Sequence, residues 1–180
     1  MTRCRRGAST FRCTASIPVL QTTAHDETKK MIPMSTAQRL DIAATDKSAY
    51  APLIALEEYV HGGSLGEGLL ALIKLRASQL NGCAFCLNMH AQEAREADVD
   101  QRKLDVLAGW SEAPDVYSDR EQAALRLTEQ VTPISGGVAD DVWDAAAEVY
   151  SEQEMVELLM AISAINVWNR LAVSTHQHLG

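Results

Sequence analysis

The segment from about Glu152 to Ser174 constrains the fold of this chain most strongly. It begins with a capping-box pattern, in which Ser151 caps a helix and Glu154 reaches back to it. A helix that is apolar around most of its circumference must be covered on every side. The sequence therefore predicts a long helix packed among others. Its apolar residues are Met155, Val156, Leu158, Leu159, Met160, Ile162, Ile165 and Val167.

The chain from Leu40 onward predicts shorter helices that are separated by brief turns. Capping boxes pair Ser64 with Glu67 and Ser118 with Glu121, and Gly and Pro residues mark the breaks. No window alternates polar and apolar residues for long enough to predict a strand. We therefore expect an all-α domain of about seven helices. The shorter ones are predicted over about 46–61, from Ser64 to Asn81, and over about 83–97, 100–110, 118–131 and 140–150.

Composition and charge exclude several classes of protein. The chain has 180 residues, of which 47% are apolar, so it suits one globular domain rather than a disordered chain. Its net charge of −8 argues against non-specific binding to nucleic acid, which requires a positive surface. No run of about eighteen apolar residues indicates a membrane span. We expect a cytoplasmic protein with no membrane partner.

Residues 1–33 differ from the rest of the chain. They carry a net charge of +4, which leaves −12 for the remainder, and they are rich in Ser and Thr. This composition suits either a basic presequence or an upstream extension of a domain that starts near Met31 or Met34. We predict a disordered extension over 1–33 and one helical domain over 34–180. Cys4 and Cys13 lie in the extension and are assigned no role.

The chemistry concentrates in the segment from Asn81 to His90. Cys83, Cys86 and His90 are spaced i, i+3 and i+7, so their side chains share one face of a helix. Cys83 lies at the predicted helix N-terminus, where free N–H groups and the helix dipole favour a thiolate. His90 is one turn from Cys86 and can exchange a proton with its thiol. These features predict a redox or proton-transfer site.

Three other interpretations of the motif remain open. Zinc binding would require a further ligand or an open water position, and no second CxxC is present, although His176 and His178 lie near the C-terminus. The two cysteines also suit a structural disulfide, which a reducing cytosol disfavours. They also suit small residues of the core. We predict no metal and no cofactor.

The segment 69–97, with its CxxCxxxH signature, resembles the AhpD-like alkylhydroperoxidases of the carboxymuconolactone decarboxylase superfamily. The resemblance extends over about residues 38–175 and includes Leu107-Ala108-Gly109-Trp110 and the stretch from Ala164 to Arg170. It implies a helical subunit that assembles into trimers or hexamers. It also implies a peroxidase in which Cys86 attacks a hydroperoxide, Cys83 resolves the product as a disulfide, and His90 relays protons. An external dithiol or disulfide reductase would complete the cycle.

The chain departs from the family pattern at the relay. The family usually has a Glu twelve residues before the first Cys, and Ala71 stands there in this chain. Glu67 lies one turn earlier and is a candidate substitute, and Phe85 stands between the cysteines where family members often have a His. The resemblance therefore implies weak peroxidase activity. Two alternatives stay open: a decarboxylase-type lyase that uses His90 on a small carboxylated lactone, and a helical assembly protein without catalysis.

Several other residues have competing interpretations. Trp110 and Trp168 suit either a pocket wall or packing. Polar side chains on the apolar final helix suit a subunit interface or a pocket, and they comprise Asn166, Asn169 and Arg170. The acidic and histidine residues of the first long helix, which are Glu57, Glu58 and His61, are predicted to form a solvated face.

Overall fold

A computed structural model describes residues 37–179, and within that range every regular element is helical. The all-α prediction is therefore confirmed. The predicted extension over 1–33 lies outside the described residues. The α-helices are α1 (Ile42–Thr45), α2 (Ala51–His61), α3 (Glu67–Asn81), α4 (Ala84–Glu96), α5 (Gln101–Val106), α6 (Asp119–Val131), α7 (Asp140–Val149) and α8 (Glu152–Thr175), with 3-10 helices over Lys47–Tyr50, Leu107–Glu112 and Pro114–Val116.

Helix α8 is the central element of the domain, as its apolar sequence predicts. It contacts α2, α3, α4, α6 and α7, and Leu158, Ile162 and Ile165 are fully buried. Its length and hydropathy would also suit a membrane span, but half of the relevant window is buried inside the domain. This packing is that of a core helix, and a cytoplasmic location stays a prediction.

Two of the three predicted capping boxes form, and the third does not. Ser118 with Glu121 and Ser151 with Glu154 make the reciprocal bonds that open α6 and α8. The box predicted at Ser64 is wrong, because the N-cap of α3 is Gly66, two residues after Ser64, with φ 82°. The Ser64 hydroxyl and backbone N–H instead donate to Glu157 on α8, at 2.9 and 2.8 Å.

Helices α3 and α8 are joined by amide hydrogen bonds in the interior. The Asn81 side chain donates to the amide oxygens of Asn166 and Asn169, at 2.9 and 2.8 Å, and Asn169 donates to the Ser78 hydroxyl at 3.1 Å. Arg170 donates to the backbone and side-chain oxygens of Asn166. The polar residues of α8 therefore satisfy one another and the end of α3, rather than lining a pocket. Because buried amides are costly when unpaired, these bonds fix the register of the two helices.

The cap of α8 makes the stability of the domain depend on pH. Hydrogen bonds from the Ser151 backbone N–H, the Arg120 guanidinium and the Ser151 hydroxyl lower the pKa of Glu154 from 4.5 to about 2. A depressed pKa in the folded state stabilises the protein above the unfolded value, and that stabilisation is lost as the pH falls through the folded value. Glu154 therefore contributes fully above about pH 4.5 and progressively less toward pH 2.

We expect Glu154→Gln to lower the urea midpoint at pH 7, because the Gln keeps the shape but loses the charge. At pH 3 the gap between parent and variant should narrow, since Glu154 of the unfolded parent is then largely protonated while that of the folded parent is still largely ionised. Urea titrations followed by circular dichroism at both pH values test this, with the exposed Glu148→Gln as the matched control. A gap that stays constant between pH 7 and pH 3 would contradict the assignment.

Candidate functional site

The cysteine motif occupies the junction between α3 and α4. Gly82 ends α3 in the left-handed conformation, at φ 65°, which a residue with a Cβ adopts only with strain. The backbone N–H of Cys83 then donates to the Ser78 carbonyl at 3.0 Å. Cys83 is the N-cap of α4, as its predicted position at the helix start requires. The Asn-Gly pair therefore turns the chain so that Cys83 and Cys86 face the interior.

Cys83 and Cys86 are joined in the structure by a disulfide, with their Cα atoms 5.3 Å apart. Both residues are buried, and the backbone N–H of Cys86 points at the Cys83 sulfur at 3.3 Å. They pack in a small apolar cluster with Ile165 and Ala172 of α8, and Phe85 and Trp168 lie at its edge. A thiolate formed at Cys83 would therefore be stabilised by the free N–H groups of the first helical turn.

His90 lies one turn beyond Cys86 on the same helix and is 3% exposed. Its Nδ1 is 2.7 Å from a carboxylate oxygen of Glu93, and this hydrogen bond from His90 lowers the pKa of Glu93. An ionised carboxylate only accepts, so Nδ1 carries a proton, and in the neutral imidazole Nε2 is the nitrogen with the free lone pair. Nε2 is buried and has no hydrogen-bond partner among the described residues. Glu93 thus orients the His90 ring and leaves Nε2 as a potential proton acceptor.

A cavity of about 420 Å³ lies beside the motif, and His90 forms part of its wall. Its walls are mainly apolar, which suits a ligand with an organic body. The apolar and aromatic lining residues are Tyr50, Ile54, Phe85, Met89, Trp168 and Ala172, and the polar ones are Glu57, His61, Lys74, His90, Glu93 and Gln177.

The cavity has a second polar wall, which α2 and α3 provide. The side chain of Lys74 is 3% exposed, and its Nζ lies 2.7 Å from Glu57 and 2.9 Å from Nε2 of His61. His61 Nδ1 is 2.8 Å from Glu67, and the Trp168 indole N–H donates to Glu57 at 2.9 Å. Because an ammonium group only donates, Nε2 of His61 accepts from Lys74, and Nδ1–H donates to Glu67.

The structure brings Cys83, Cys86 and His90 together on one face of α4, as their spacing predicts. The expectation that Glu67 substitutes for the family Glu at His90 is corrected. Glu67 pairs with His61 rather than His90, and the carboxylate on His90 comes from Glu93, three residues further along α4. Ala71 packs in an apolar cluster that includes Leu72, Leu75, Leu107, Trp110 and Leu125.

The solvated face predicted for α2 is wrong at Glu57, whose side chain is 22% exposed and pairs with the buried Lys74. His61 is exposed as predicted but also lines the cavity, and Glu58 faces solvent without a role in it. The sequence signal for the second polar wall is Lys74, which interrupts an apolar run on α3. A buried ammonium requires an acidic partner, so Lys74 indicates that a carboxylate packs against it.

The two tryptophans have different roles. Trp168 forms part of the cavity wall, whereas Trp110 is a packing residue that donates to Glu129. Among residues 37–179 no group of three His, Cys, Asp or Glu side chains is placed to hold a metal ion.

One family model and two curated relatives match this chain. The model of the carboxymuconolactone decarboxylase family matches residues 48–130. The uncharacterized protein YdfG of Bacillus subtilis (strain 168) is 38% identical over 123 residues, which span 68% of this chain and 83% of that protein. The uncharacterized protein YnjA of Escherichia coli (strain K12) is 27% identical over 97 residues, or 54% of this chain and 53% of that protein.

Solved structures share the fold. ATU0492 of Agrobacterium tumefaciens, a protein of unknown function described as a candidate antioxidant defence protein AhpD, is 36% identical with a TM-score of 0.77, covering 80% of this chain and 99% of that one. An alkylhydroperoxidase AhpD core protein from Ralstonia eutropha JMP134, described as peroxidase-related, is 19% identical with a TM-score of 0.67, covering 76% and 73%. At that identity the second likeness concerns the fold alone.

The second polar wall predicts an asymmetric response to mutation. Glu57→Gln leaves the Lys74 ammonium buried without a counter-charge, whereas Lys74→Met leaves a carboxylate that is 22% exposed and can reach water. We expect Glu57→Gln to lower the free energy of unfolding by about 3 kcal/mol and Lys74→Met by less. The double variant should recover part of the loss, because it removes both charges.

Urea unfolding of the three variants and of Glu58→Gln, the exposed neighbour, measures these differences. Glu58→Gln should match the parent. Strictly additive losses in the double variant would show that the two charges do not interact.

Proposed function

The chain belongs to the carboxymuconolactone decarboxylase family and has the AhpD-like fold, and from this premise we propose that it is a thiol-dependent peroxidase that reduces organic hydroperoxides. The observation that carries the proposal is the Cys83–Cys86 pair one helical turn from His90, whose Nε2 is buried and free. A cysteine, a histidine and a carboxylate in this order form an activated nucleophile. The cavity beside them provides room for a substrate.

In the first step, reduced Cys86 loses its proton to Nε2 of His90 and attacks the outer oxygen of the hydroperoxide. An S–O bond forms, the O–O bond breaks, and the sulfur is oxidised to a sulfenic acid while the peroxide is reduced. The leaving alkoxide takes up one proton and departs as an alcohol. Glu93 stabilises the imidazolium that forms, because its carboxylate accepts the Nδ1 hydrogen.

In the second step, the thiol of Cys83 attacks the sulfenic acid, and water leaves as the disulfide forms. The disulfide in the structure corresponds to this product. An external dithiol then reduces the pair through a mixed disulfide and is itself oxidised to a disulfide. We propose an external dithiol or a disulfide reductase as this partner, because the second thiol of a dithiol resolves the mixed disulfide. Both sulfurs are buried, so the pair must become accessible for this step.

The lining of the cavity supports an organic substrate over hydrogen peroxide. Aromatic and aliphatic side chains form most of its wall, and these favour a ligand with an alkyl or aryl group. The two ends of the substrate would then face different surroundings, with the peroxide group toward His90 and the organic group toward Phe85, Met89 and Ile54. An antioxidant role in a reducing compartment follows from this chemistry.

We predict that peroxide consumption supported by a panel of dithiols requires both cysteines of the motif. Cys86→Ser should abolish turnover because it removes the nucleophile. Cys83→Ser should permit one oxidation event and then stop, because the sulfenic acid cannot be resolved. Cys13→Ser is the matched control and should turn over like the parent. A Cys86→Ser variant with parental activity would overturn the proposal and favour lyase chemistry at His90 or a non-catalytic role.

We also propose that the protein is a homo-oligomer, a trimer or hexamer as the family resemblance implies. Val156, Met160 and Val167 are one to three turns apart on α8, and each is more than a third exposed. Such a stripe of apolar side chains on a core helix is suited to contact with another copy of the chain.

We predict a mass above the 19.6 kDa of one subunit in light scattering at micromolar concentration. Met160→Glu should shift the distribution toward the single subunit, because it places a charge in the apolar stripe. Glu148→Gln, on an exposed site of α7, is the control and should leave the mass unchanged. A parent that scatters as one subunit would contradict the proposed assembly.

A further inference from the structure

We infer that Lys74 is a second acid–base residue of the cavity and donates the proton that the leaving alkoxide takes up. This inference rests on the proposed peroxidase function and assigns a separate residue to the half of the reaction that His90 does not perform. The reasons are the burial of Lys74, its position in the wall of the cavity that His90 also lines, and its connection to the surface.

Lys74 is placed as a charged donor in an otherwise apolar part of α3. Its side chain is 3% exposed, and the Glu57 carboxylate 2.7 Å away supplies the counter-charge that a buried ammonium requires. Two of its three N–H groups are directed at Glu57 and His61. The third remains available to the cavity that Lys74 lines.

The reaction requires two proton transfers in opposite directions. The thiol of Cys86 gives up a proton, and the alkoxide released from the peroxide gains one. A single imidazole would have to accept the proton of the thiol and then transfer that proton to the departing oxygen. With two groups, His90 accepts the thiol proton at Nε2 while Lys74 protonates the alkoxide. Charge then balances across the cavity, since imidazolium and neutral amine are formed together.

The side chains of His61 and Glu67 connect Lys74 to solvent. His61 bonds to Nζ of Lys74 at one ring nitrogen and to Glu67 at the other, and the side chains of His61 and Glu67 are 39% and 59% exposed. A proton from solvent can therefore reach Lys74 through His61. His90 can release its extra proton through Glu93, whose side chain is 43% exposed. Each wall thus has its own partly exposed side chains through which protons exchange with solvent.

The experiment compares two oxidants that differ in the basicity of the leaving group. tert-Butyl hydroperoxide releases a strongly basic alkoxide that needs an acid. Peracetic acid releases a carboxylate, which, like the side chain of Glu with its pKa of about 4.3, leaves without a proton. Rates of the first oxidation of fully reduced protein are measured by stopped flow for the parent, the Glu57→Gln/Lys74→Met double variant and Glu58→Gln. The double variant leaves no unpaired buried charge, so the fold is retained.

We expect the double variant to lose about a hundredfold or more in rate with tert-butyl hydroperoxide, which is the usual contribution of general acid catalysis. Its rate with peracetic acid should stay within about threefold of the parent. Glu58→Gln should match the parent with both oxidants.

Two results would overturn the assignment of Lys74 alone. One is an equal loss with both oxidants, which would mark Lys74 and Glu57 as structural. The other is no loss with either. A parent that reacts with neither oxidant at Cys86 would instead overturn the proposed function, and this inference with it.

Discussion

The hydrogen bonds from the side chain of Asn81 to Asn166 and Asn169 hold the rest of the site in place. They join the last residue of α3 to the middle of α8, and the chain turns immediately afterwards through Gly82 into the cysteine motif. Asn169 is 1% exposed, and Asn81 is the one donor to its amide oxygen among the described residues, so losing that bond would leave a buried oxygen unpaired, at a cost of about 1–3 kcal/mol. The position of Cys83 at the start of α4 therefore follows from the docking of α3 on α8, and that docking in turn depends on the apolar surface of α8.

From this anchored junction, α3 and α4 together with α2 and α8 enclose one cavity with two polar walls. His90 with Glu93 forms the wall next to the cysteines, and Lys74 with Glu57 and His61 forms the other. Each wall contains a buried group and a partly exposed one, so each can exchange protons with solvent. A site of this kind can take a proton from one end of a substrate and supply one to the other.

The helices and the cysteine motif were predictable because their signals are local. Capping residues, Gly-Pro breaks and helical spacing act within one or two turns, and so Cys83, Cys86 and His90 share a face as expected. The second wall was not predictable in this way, because it depends on the packing of α2 against α3. The pattern of α2 alone predicts that Glu57 and His61 are surface residues. Only the apolar neighbours of Lys74 indicated that an acidic partner had to come from another helix. The capping box at Ser64 failed for a similar reason, because Glu157 on α8 bonds to Ser64 from a distance of 93 residues in sequence.

The account depends centrally on peroxide converting the reduced Cys83–Cys86 pair into a disulfide. Differential alkylation followed by mass spectrometry tests this directly, since trypsin should release both cysteines in the single peptide 77–95. After one equivalent of tert-butyl hydroperoxide, the fully reduced protein should lose both thiols of that peptide together, linked within it, while Cys4 and Cys13 remain alkylatable. Free thiols at Cys83 and Cys86, with oxidation at Cys4 and Cys13 instead, would contradict the account.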